Sequence, residues 1–335
     1  MRSVSLCAVL LSLVCGGASA ADVTCATCHK KQATSQPGTF MAHALMLRTY
    51  PKLTKTLGGY TYTVETRGGK STYSVTDGVD TIAVPIRWAF GAKTQTWVLE
   101  RNGKLYESLV SFYPKVNGLD VTMGDQHITP TTLLEAFGRE LPDRDVRACF
   151  DCHATGAVVN RQVQFETLKP GVQCGRCHTG ANEHLKAISK GKSTPMPARL
   201  GKMTPEDTSN FCGQCHRTWD WVVRNRLRGE ATVRFQPYRL ANSACYDGGD
   251  SRISCTACHD PHQDPVVGSA AYDEKCLACH STAAVVAKQK MYKACPVGKA
   301  ECSSCHMPKV PLPGGHQTFT DHHIRVVKAG EPYPN

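Results

Sequence analysis

Beyond its first twenty residues the chain has no apolar run long enough to span a membrane. A transmembrane helix needs about 20 consecutive apolar residues, and no later segment of the 335 residues provides them. Residues 116–335 also show little regular apolar periodicity, which argues against a core built from amphipathic helices alone. We therefore expect no integral membrane span after the N-terminal segment, and a core that side chains only partly fill.

The first twenty residues have the features of a cleaved export signal. Arg2 precedes an apolar run at 4–14, and residues 18–20 form the small-residue pattern Ala-Ser-Ala of a cleavage site. We expect cleavage near Ala20 and a periplasmic or otherwise exported protein in an oxidising compartment. Cys15 offers a lipoprotein alternative, which the bulky valine before it disfavours.

Cysteine is abundant, and fourteen of the eighteen cysteines belong to one repeated motif, Cys-x-x-Cys-His. The motif occurs seven times, and we number the copies in chain order. The cysteine pairs are Cys25 and Cys28, Cys149 and Cys152, Cys174 and Cys177, Cys212 and Cys215, Cys255 and Cys258, Cys276 and Cys279, and Cys302 and Cys305. The histidines that follow them are His29, His153, His178, His216, His259, His280 and His306.

This motif is the attachment site of a c-type haem. Two intervening residues put both sulfurs on one turn, where they bind the porphyrin vinyl groups, and the adjacent histidine becomes the proximal iron ligand. A single copy could be a zinc half-site or a redox-active thiol pair. Seven copies predict seven covalently bound haems c, with the seven motif histidines as proximal ligands.

The formal charge of +11 does not predict a nucleic-acid partner. Each haem brings two propionates, so the mature protein would carry about −4 with all irons ferrous and about +3 with all irons ferric. We expect the basic side chains to pair with propionates or to line a docking surface for a redox protein.

The segment between the first and second motifs differs in composition. From Tyr60 to Tyr113 it is rich in Thr, Tyr, Val and Trp, and it alternates polar and apolar residues at 60–64 and 71–75. Asn102-Gly103 between two apolar segments is a strong hairpin signal. We expect a small antiparallel β subdomain that packs over the haem core, with a substrate or partner surface as the alternative role.

The six crowded motifs lie in sequence typical of loops and short helices. Thr204-Pro205 predicts a helix start that would carry the fourth motif, and helices are also expected at 217–228 and 272–291. The predicted fold is therefore mostly irregular and α-helical, with short helices around a haem core and one small antiparallel β subdomain. The expected divisions are a signal at 1–20, an N-terminal haem segment at 21–57, the β subdomain at 58–115 and a six-haem domain at 116–335. We do not expect the chain to fold without haem.

Each haem needs a second axial ligand, or it keeps an open coordination position. The candidate distal ligands are His43, His127, His184, His262, His316 and His322. His323 is a seventh spare histidine, but it adjoins His322 and neighbouring side chains diverge. Methionine ligation is the alternative, with Met41, Met123, Met196, Met203 and Met307 as candidates.

Chain geometry limits the pairing. His262 is three residues after proximal His259, and two axial histidines on one iron have Cα atoms roughly 12 Å apart, beyond the reach of three extended residues. His262 would therefore serve a neighbouring haem, and His184, six residues after His178, would do likewise. Such cross-ligation draws haems into close packing.

Three blocks carry a family resemblance. They are residues 171–178 followed by His184, residues 255–262 with the sequence Cys-Thr-Ala-Cys-His-Asp-Pro-His, and residues 302–309 followed by 315–322. From about Ile86 onward the chain resembles the exported multihaem cytochromes c rich in this motif, a family that includes the tetrahaem partner of hydroxylamine oxidoreductase. The resemblance implies bis-histidine haems in stacked pairs and periplasmic electron transfer, and it favours His322 over His323. Because seven motifs exceed a tetrahaem pattern, it does not assign every ligand pair.

Cys245 and Cys295 lie outside the motifs, in segments that also resemble this family. Given an oxidising compartment, we expect a disulfide between them. Free thiols or an unusual haem ligand are the alternatives.

The leading functional hypothesis is an electron carrier that links a quinol-linked or soluble donor to a terminal reductase or another cytochrome. One alternative is a reductase that acts on nitrite, hydroxylamine or another small oxyanion at one open-site haem. Another is a subunit of an extracellular cytochrome filament. No motif has Lys in place of its histidine, and the sequence identifies no catalytic residue.

Overall fold

The structure is a computed structural model that describes residues 24–192, 200–281 and 295–334. The expected export signal, Met196 and the end of the helix expected at 272–291 lie outside these ranges. Within them, no helix combines the length and the apolar character that crossing a bilayer requires.

The described chain forms short helices and six antiparallel sheets. The strands are β1 Leu53–Leu57, β2 Tyr60–Arg67, β3 Lys70–Thr76, β4 Thr81–Pro85, β5 Trp88–Phe90, β6 Thr96–Arg101, β7 Lys104–Ser108, β8 Val110–Tyr113, β9 Gly118–Val121, β10 Gly138–Glu140, β11 Ala154–Thr155, β12 Val158–Val159, β13 Gln162–Val163, β14 Lys169–Pro170, β15 Lys309–Leu312 and β16 Gln317–Thr320.

The α-helices are α1 Cys25–Cys28, α2 Lys30–Ser35, α3 Leu133–Phe137, α4 Asp143–His153, α5 Cys174–Cys177, α6 Ala181–Ile188, α7 Pro205–His216, α8 Trp219–Arg224, α9 Gln236–Ala241, α10 Cys255–Cys258, α11 Asp273–His280 and α12 Cys302–His306. Turns of 3-10 helix lie at Gln36–Gly38, Pro114–Val116, Leu200–Lys202, Gly229–Arg234 and Ser269–Tyr272.

The prediction of a mostly irregular and α-helical haem core with one small β subdomain is wrong. The fold is mixed α/β, with 34% helix and 23% strand. Strand β10 joins a four-stranded sheet from beyond the predicted subdomain, and three two-stranded sheets lie among or beside the later motifs. These short strands escape sequence analysis because alternation is recognisable only over about four or more residues.

The first sheet has the order β1-β2-β3-β4, with every pair antiparallel. In β2 the side chains of Tyr60, Tyr62 and Val64 are buried, while the threonines between them are partly exposed. This period of two is what places one face of a strand on a core. Strands β2 and β3 lie where the alternating segments predict strands.

The second sheet has the order β10-β7-β6-β5. Its β6–β7 hairpin turns at Asn102 and Gly103, which both have positive φ angles of 52° and 73°. Positive φ at both central residues is the type I′ pattern that matches the twist of paired strands. The hairpin predicted at Asn102-Gly103 is confirmed. We call residues 53–140, which contain β1 to β10, the β module.

An aromatic core fills the β module. The side chains of Tyr62, Tyr73, Trp97 and Phe137 are all fully buried. The Trp97 indole N–H donates to the Tyr50 hydroxyl at 3.1 Å, so the buried polar atom has a partner. This core therefore needs no contribution from the haem motifs.

A second cluster attaches the second motif to the β module. Phe150, inside that motif, packs edge-on against Trp88 at 5.5 Å and Phe90 at 5.0 Å between ring centres. Helix α4 carries Phe150 and begins just after β10. The packing fixes the second motif against the sheet.

A buried ion pair anchors the C-terminal segment. Asp321 and Arg239, on α9, are both fully buried, and the carboxylate accepts two hydrogen bonds from Arg239, each of 2.8 Å. Arg325 donates a third, also of 2.8 Å. This bidentate geometry fixes the orientation of the segment that carries His322.

Candidate haem sites

All seven Cys-x-x-Cys segments lie in an α-helical turn. In the first, third and fifth motifs the turn is a helix of four residues, α1, α5 and α10, and α1 is followed after one residue by α2. In the second, fourth and sixth it ends a longer helix, and in the seventh it forms α12. A four-residue helix is too short to be stable alone. An attached group would supply the missing stabilisation, and the turn points both thiols to one side.

Local capping explains where these helices begin. The Thr204 hydroxyl accepts a hydrogen bond from the backbone N–H of Asp207 at 3.1 Å, with Pro205 at the first helical position. The predicted helix start before the fourth motif is confirmed. The helix expected at 217–228 is shorter, Trp219–Arg224, and the one expected at 272–291 starts as α11 at Asp273.

In three motif histidines the Nδ1 atom lies within hydrogen-bond distance of a carbonyl or side-chain amide oxygen. The distances are 2.8 Å from His153 to the Ala44 carbonyl and 2.8 Å from His306 to the Arg325 carbonyl. The His216 Nδ1 lies 3.1 Å from the Gln236 side-chain oxygen. An Nδ1–H that donates to oxygen leaves Nε2 with its lone pair, which is the form that binds a metal.

Two motif histidines face a candidate distal histidine. The ring centres of His178 and His262 are 6.1 Å apart with planes at 7°, and those of His259 and His322 are 6.2 Å apart at 48°. An imidazole nitrogen binds a metal at about 2 Å and lies about 1 Å from its ring centre, so two axial rings on one iron have centres roughly 6 Å apart. Both pairs match that spacing.

The surroundings of the second pair, His259 and His322, suit neutral ligands. Desolvation lowers the pKa of His322 to about 4, and it also lowers the pKa of His259. Since a metal binds neutral imidazole, His259 and His322 fit a bis-histidine haem by both spacing and surroundings, and His178 and His262 fit one by spacing.

The remaining candidate distal histidines show no such pairing within the described residues. His43 is half-buried in a turn near α2, His127 is exposed, and His184 lies on α6. The Nε2 atom of His316 is 2.7 Å from a carboxylate oxygen of Asp120, and its ring stacks edge-on against Tyr113 at 4.7 Å. His316 thus contacts the β module in this structure.

His323 differs from its neighbour His322. Its Nδ1 atom lies 3.5 Å from the Arg239 guanidinium, and its backbone N–H donates to Asp321 at 3.0 Å. The His323 side chain is therefore turned toward the buried ion pair, whereas the His322 ring faces His259.

The second, third and fourth motifs interlock through residues between their cysteines. Arg176 of the third motif lies 3.6 Å from the Asp151 carboxylate of the second and 3.5 Å from the Gln214 side-chain oxygen of the fourth. The Cys152 thiol is 3.7 Å from the Gln214 carbonyl oxygen. Sequence analysis missed these contacts because no local pattern marks a bond between variable positions of separate motifs.

Thiols of different motifs also meet. The Cys212 side chain forms a hydrogen bond with that of Cys255, and the Cys152 side chain forms one with that of Cys215. Helix α7, which ends in the fourth motif, thus contacts the second motif through Cys215 and the fifth motif through Cys212. Asp273 of α11 accepts hydrogen bonds from the backbone N–H groups of Glu301 and Cys302, at 2.7 and 2.8 Å, which joins the sixth motif to the seventh.

Cys245 and Cys295 are free thiols in the structure. Cys245 is half-buried, whereas Cys295 is exposed and follows the undescribed residues 282–294. The disulfide between them stays a prediction. Among the described residues, no three His, Cys, Asp or Glu side chains converge as ligands of a single metal ion would.

Comparison with known proteins adds one match. Residues 133–179, which include the second and third motifs, match the family model described as cytochrome c554 and c-prime. No curated protein and no solved structure matches the chain. The family match supports a c-type cytochrome, a haem protein of electron transfer with covalently bound haem c, and it is consistent with an exported protein.

Proposed function

We propose that the chain is a periplasmic or otherwise exported cytochrome with seven haems, most with two histidine ligands, that passes electrons between redox partner proteins. The observation that carries this is the pairing of His178 with His262 and of His259 with His322 at the spacing one iron would fill. An iron with two histidine ligands has no open position, which suits outer-sphere electron transfer and not substrate binding.

Contacts between motifs support a continuous path for electrons. The second, third and fourth motifs interlock at Arg176, the fourth reaches the fifth through Cys212, and the sixth reaches the seventh through Asp273. His262 follows the fifth motif but faces the histidine of the third. Groups attached at such motifs would lie close together, as transfer from one haem to the next requires.

Haem counting and spin state test this proposal. The pyridine haemochrome spectrum and the intact mass of the purified holoprotein are expected to give seven haems. Low-temperature EPR of the oxidised protein is expected to show low-spin ferric haem only, and the reduced protein is expected to bind no CO. Fewer haems, or several high-spin signals, would contradict the proposal.

A matched pair of variants tests the ligand assignment. His322→Ala is expected to convert one haem to a high-spin, CO-binding form, because its ring faces His259. His323→Ala is expected to leave every haem low-spin, because its ring is turned toward Arg239. The reverse result would exchange the two roles.

One observation favours a second function, a reductase with one open haem. The Nε2 atom of His316 is 2.7 Å from an Asp120 carboxylate oxygen, and His127 is exposed, so neither of these two spare histidines is paired with a motif histidine in the described residues. A single high-spin ferric signal and one CO-binding haem in the wild-type protein would support this function, with nitrite and hydroxylamine as the first substrates to assay.

A further inference from the structure

A carboxylate holds one of the two distal rings. Asp260 stands between proximal His259 and candidate distal His262, and its Oδ1 atom lies 2.9 Å from the His262 Nδ1 atom. The same oxygen accepts a hydrogen bond from the His262 backbone N–H at 3.0 Å, and Oδ2 accepts one from the Gln263 side chain at 3.2 Å. These bonds fix the ring that lies parallel to His178.

The other distal ring has a neutral partner. The Nδ1 atom of His322 is 3.0 Å from the backbone carbonyl oxygen of Thr320. A carboxylate draws the Nδ1 proton more strongly than a carbonyl does, because the charged acceptor makes the stronger hydrogen bond. The imidazole then becomes a more basic ligand. A more basic ligand stabilises ferric over ferrous iron and lowers the reduction potential.

Because His178 belongs to the third motif and His259 to the fifth, this contrast distinguishes two neighbouring sites. We propose that Asp260 is a positioning residue that makes His262 an electron-rich ligand, so that the haem of the third motif has a lower reduction potential than that of the fifth. The proposal rests on the proposed bis-histidine function. It gives the path a direction, because electrons settle on the site of higher potential, beside His322.

The experiment is a redox titration of the holoprotein, monitored optically and by EPR, for the wild type and Asp260→Asn. We expect one of the seven reduction potentials to rise in the variant by about 59 mV. For a one-electron couple this shift corresponds to an about tenfold change in the ferric–ferrous equilibrium constant. The other six potentials and the low-spin state are expected to stay unchanged. His262→Ala, which turns one haem high-spin, identifies the haem whose potential moves.

Asp264→Asn is the matched control. Asp264 accepts a hydrogen bond from the backbone N–H of Phe40 at 2.8 Å, so this variant removes the same charge four residues away without touching a histidine. Equal shifts in both variants would overturn the proposal, because loss of a nearby charge would then explain the change in potential. A shift in neither variant would also overturn it, because Asp260 would then have no effect on the potential.

Asp260→Glu keeps the carboxylate and covers the case in which Asp260→Asn loses haem. The longer side chain is expected to hold the third-motif potential below that of the fifth, and a third-motif potential at or above that of the fifth would overturn the proposal. Failure of the proposed function is distinguishable, since it would appear in the wild type as missing haems or high-spin signals. Failure of this inference alone leaves the wild-type spectra as expected and the potentials insensitive to residue 260.

Discussion

The β module and the haem region, which we define as residues 149–306, are stabilised in different ways. The main core of the β module and its flanks contains seventeen buried hydrophobic residues. The cluster confined to the described part of the haem region contains three, Val222, Phe235 and Tyr238. Burial of apolar side chains is the dominant favourable contribution to folding. We therefore expect the β module to be stabilised by its own core, and the haem region to depend on the groups attached at its motifs.

Absence of haem should produce the largest difference in stability between the β module and the haem region. The full chain is not expected to fold as a whole without haem, but limited proteolysis of the haem-free chain is expected to digest 149–306 rapidly and to leave a resistant fragment covering 53–140. The reason is that the core around Trp97 contains no motif residue. Uniform resistance, or uniform digestion, of the chain would contradict the comparison.

Trp97→Ala should destabilise the β module without changing the haems. Trp97 is fully buried, and truncation of such a side chain costs about 3–5 kcal/mol. Chemical denaturation followed by tyrosine and tryptophan fluorescence measures the loss, while the haem absorption spectrum is expected to stay that of the wild type. Trp219→Ala, at a residue 46% exposed in the haem region, is the control and should cost less than about 1 kcal/mol.

Asp321→Asn should affect the haem region and not the β module. The change leaves the Arg239 guanidinium buried without its counter-charge, at a cost of about 3 kcal/mol. It also loosens the segment that holds His322 opposite His259, so EPR is expected to show a partly high-spin haem. Glu331→Gln removes the charge of a carboxylate that contacts Arg325 at 3.4 Å and accepts a hydrogen bond from the Lys328 backbone N–H at 3.0 Å. Because the glutamine oxygen can still accept that bond, this variant should change neither measurement. An unchanged EPR spectrum in Asp321→Asn would show that the ion pair does not position the ligand.

The smallest effect is expected where the β module contacts the start of helix α4, the helix that ends in the second motif. Arg139 of β10 contacts Glu107 of β7 at 2.6 Å and Asp145 of α4 at 3.1 Å. Because these groups are partly exposed, Arg139→Ala should cost only about 1 kcal/mol, measured by denaturation at neutral pH. Arg139→Lys keeps the charge and should recover part of the loss.

The same contact predicts a pH dependence. Partial burial raises the pKa of Asp145, but the hydrogen bonds from Arg139 and Arg144 outweigh it and hold this pKa below its usual range. A carboxyl whose pKa is depressed on folding contributes stability above its unfolded pKa of about 4, and that contribution is lost as the pH falls further. Denaturation at pH 7 and pH 3 should therefore show a smaller effect of Arg139→Ala at the lower pH. An equal effect at both values would mean that Arg139 acts through packing and not through charge.

Local signals in the sequence were sufficient for part of the fold. The hairpin at Asn102-Gly103 and the helix start at Thr204 depend on conformations that a few adjacent residues determine, and both appear as predicted. The short strands β11 to β14 depend on pairing between segments up to about fifteen residues apart, for which two residues carry no periodic pattern. The predicted fold class failed partly for this reason, and partly because β1 to β10 form two four-stranded sheets and one two-stranded sheet where one small subdomain was expected.

The candidate haem sites also have features that neighbouring residues determine, which could be predicted, and features that distant contacts determine, which could not. The spacing within each motif predicts which cysteines and proximal histidines act together, because these residues are neighbours on one helical turn. The short chain between His259 and His262 also predicted that His262 would serve a haem other than that of His259. In the structure the His262 ring faces His178. The position of His316 beside Asp120 could not be foreseen, because it depends on how the β15–β16 hairpin docks onto β9, nearly two hundred residues earlier.

The contacts of Arg176 have a consequence for how the seven copies relate to one another. Haem chemistry leaves the two residues between the cysteines free to vary, so the copies are equivalent for attachment. Arg176, Asp151 and Gln214 nevertheless form one set across three copies. Transplanting the pentapeptide Cys302–His306 into the third position would preserve attachment and remove this set. The motif copies are thus equivalent in attachment chemistry. The second, third and fourth copies are not interchangeable in position, because their variable residues contact one another.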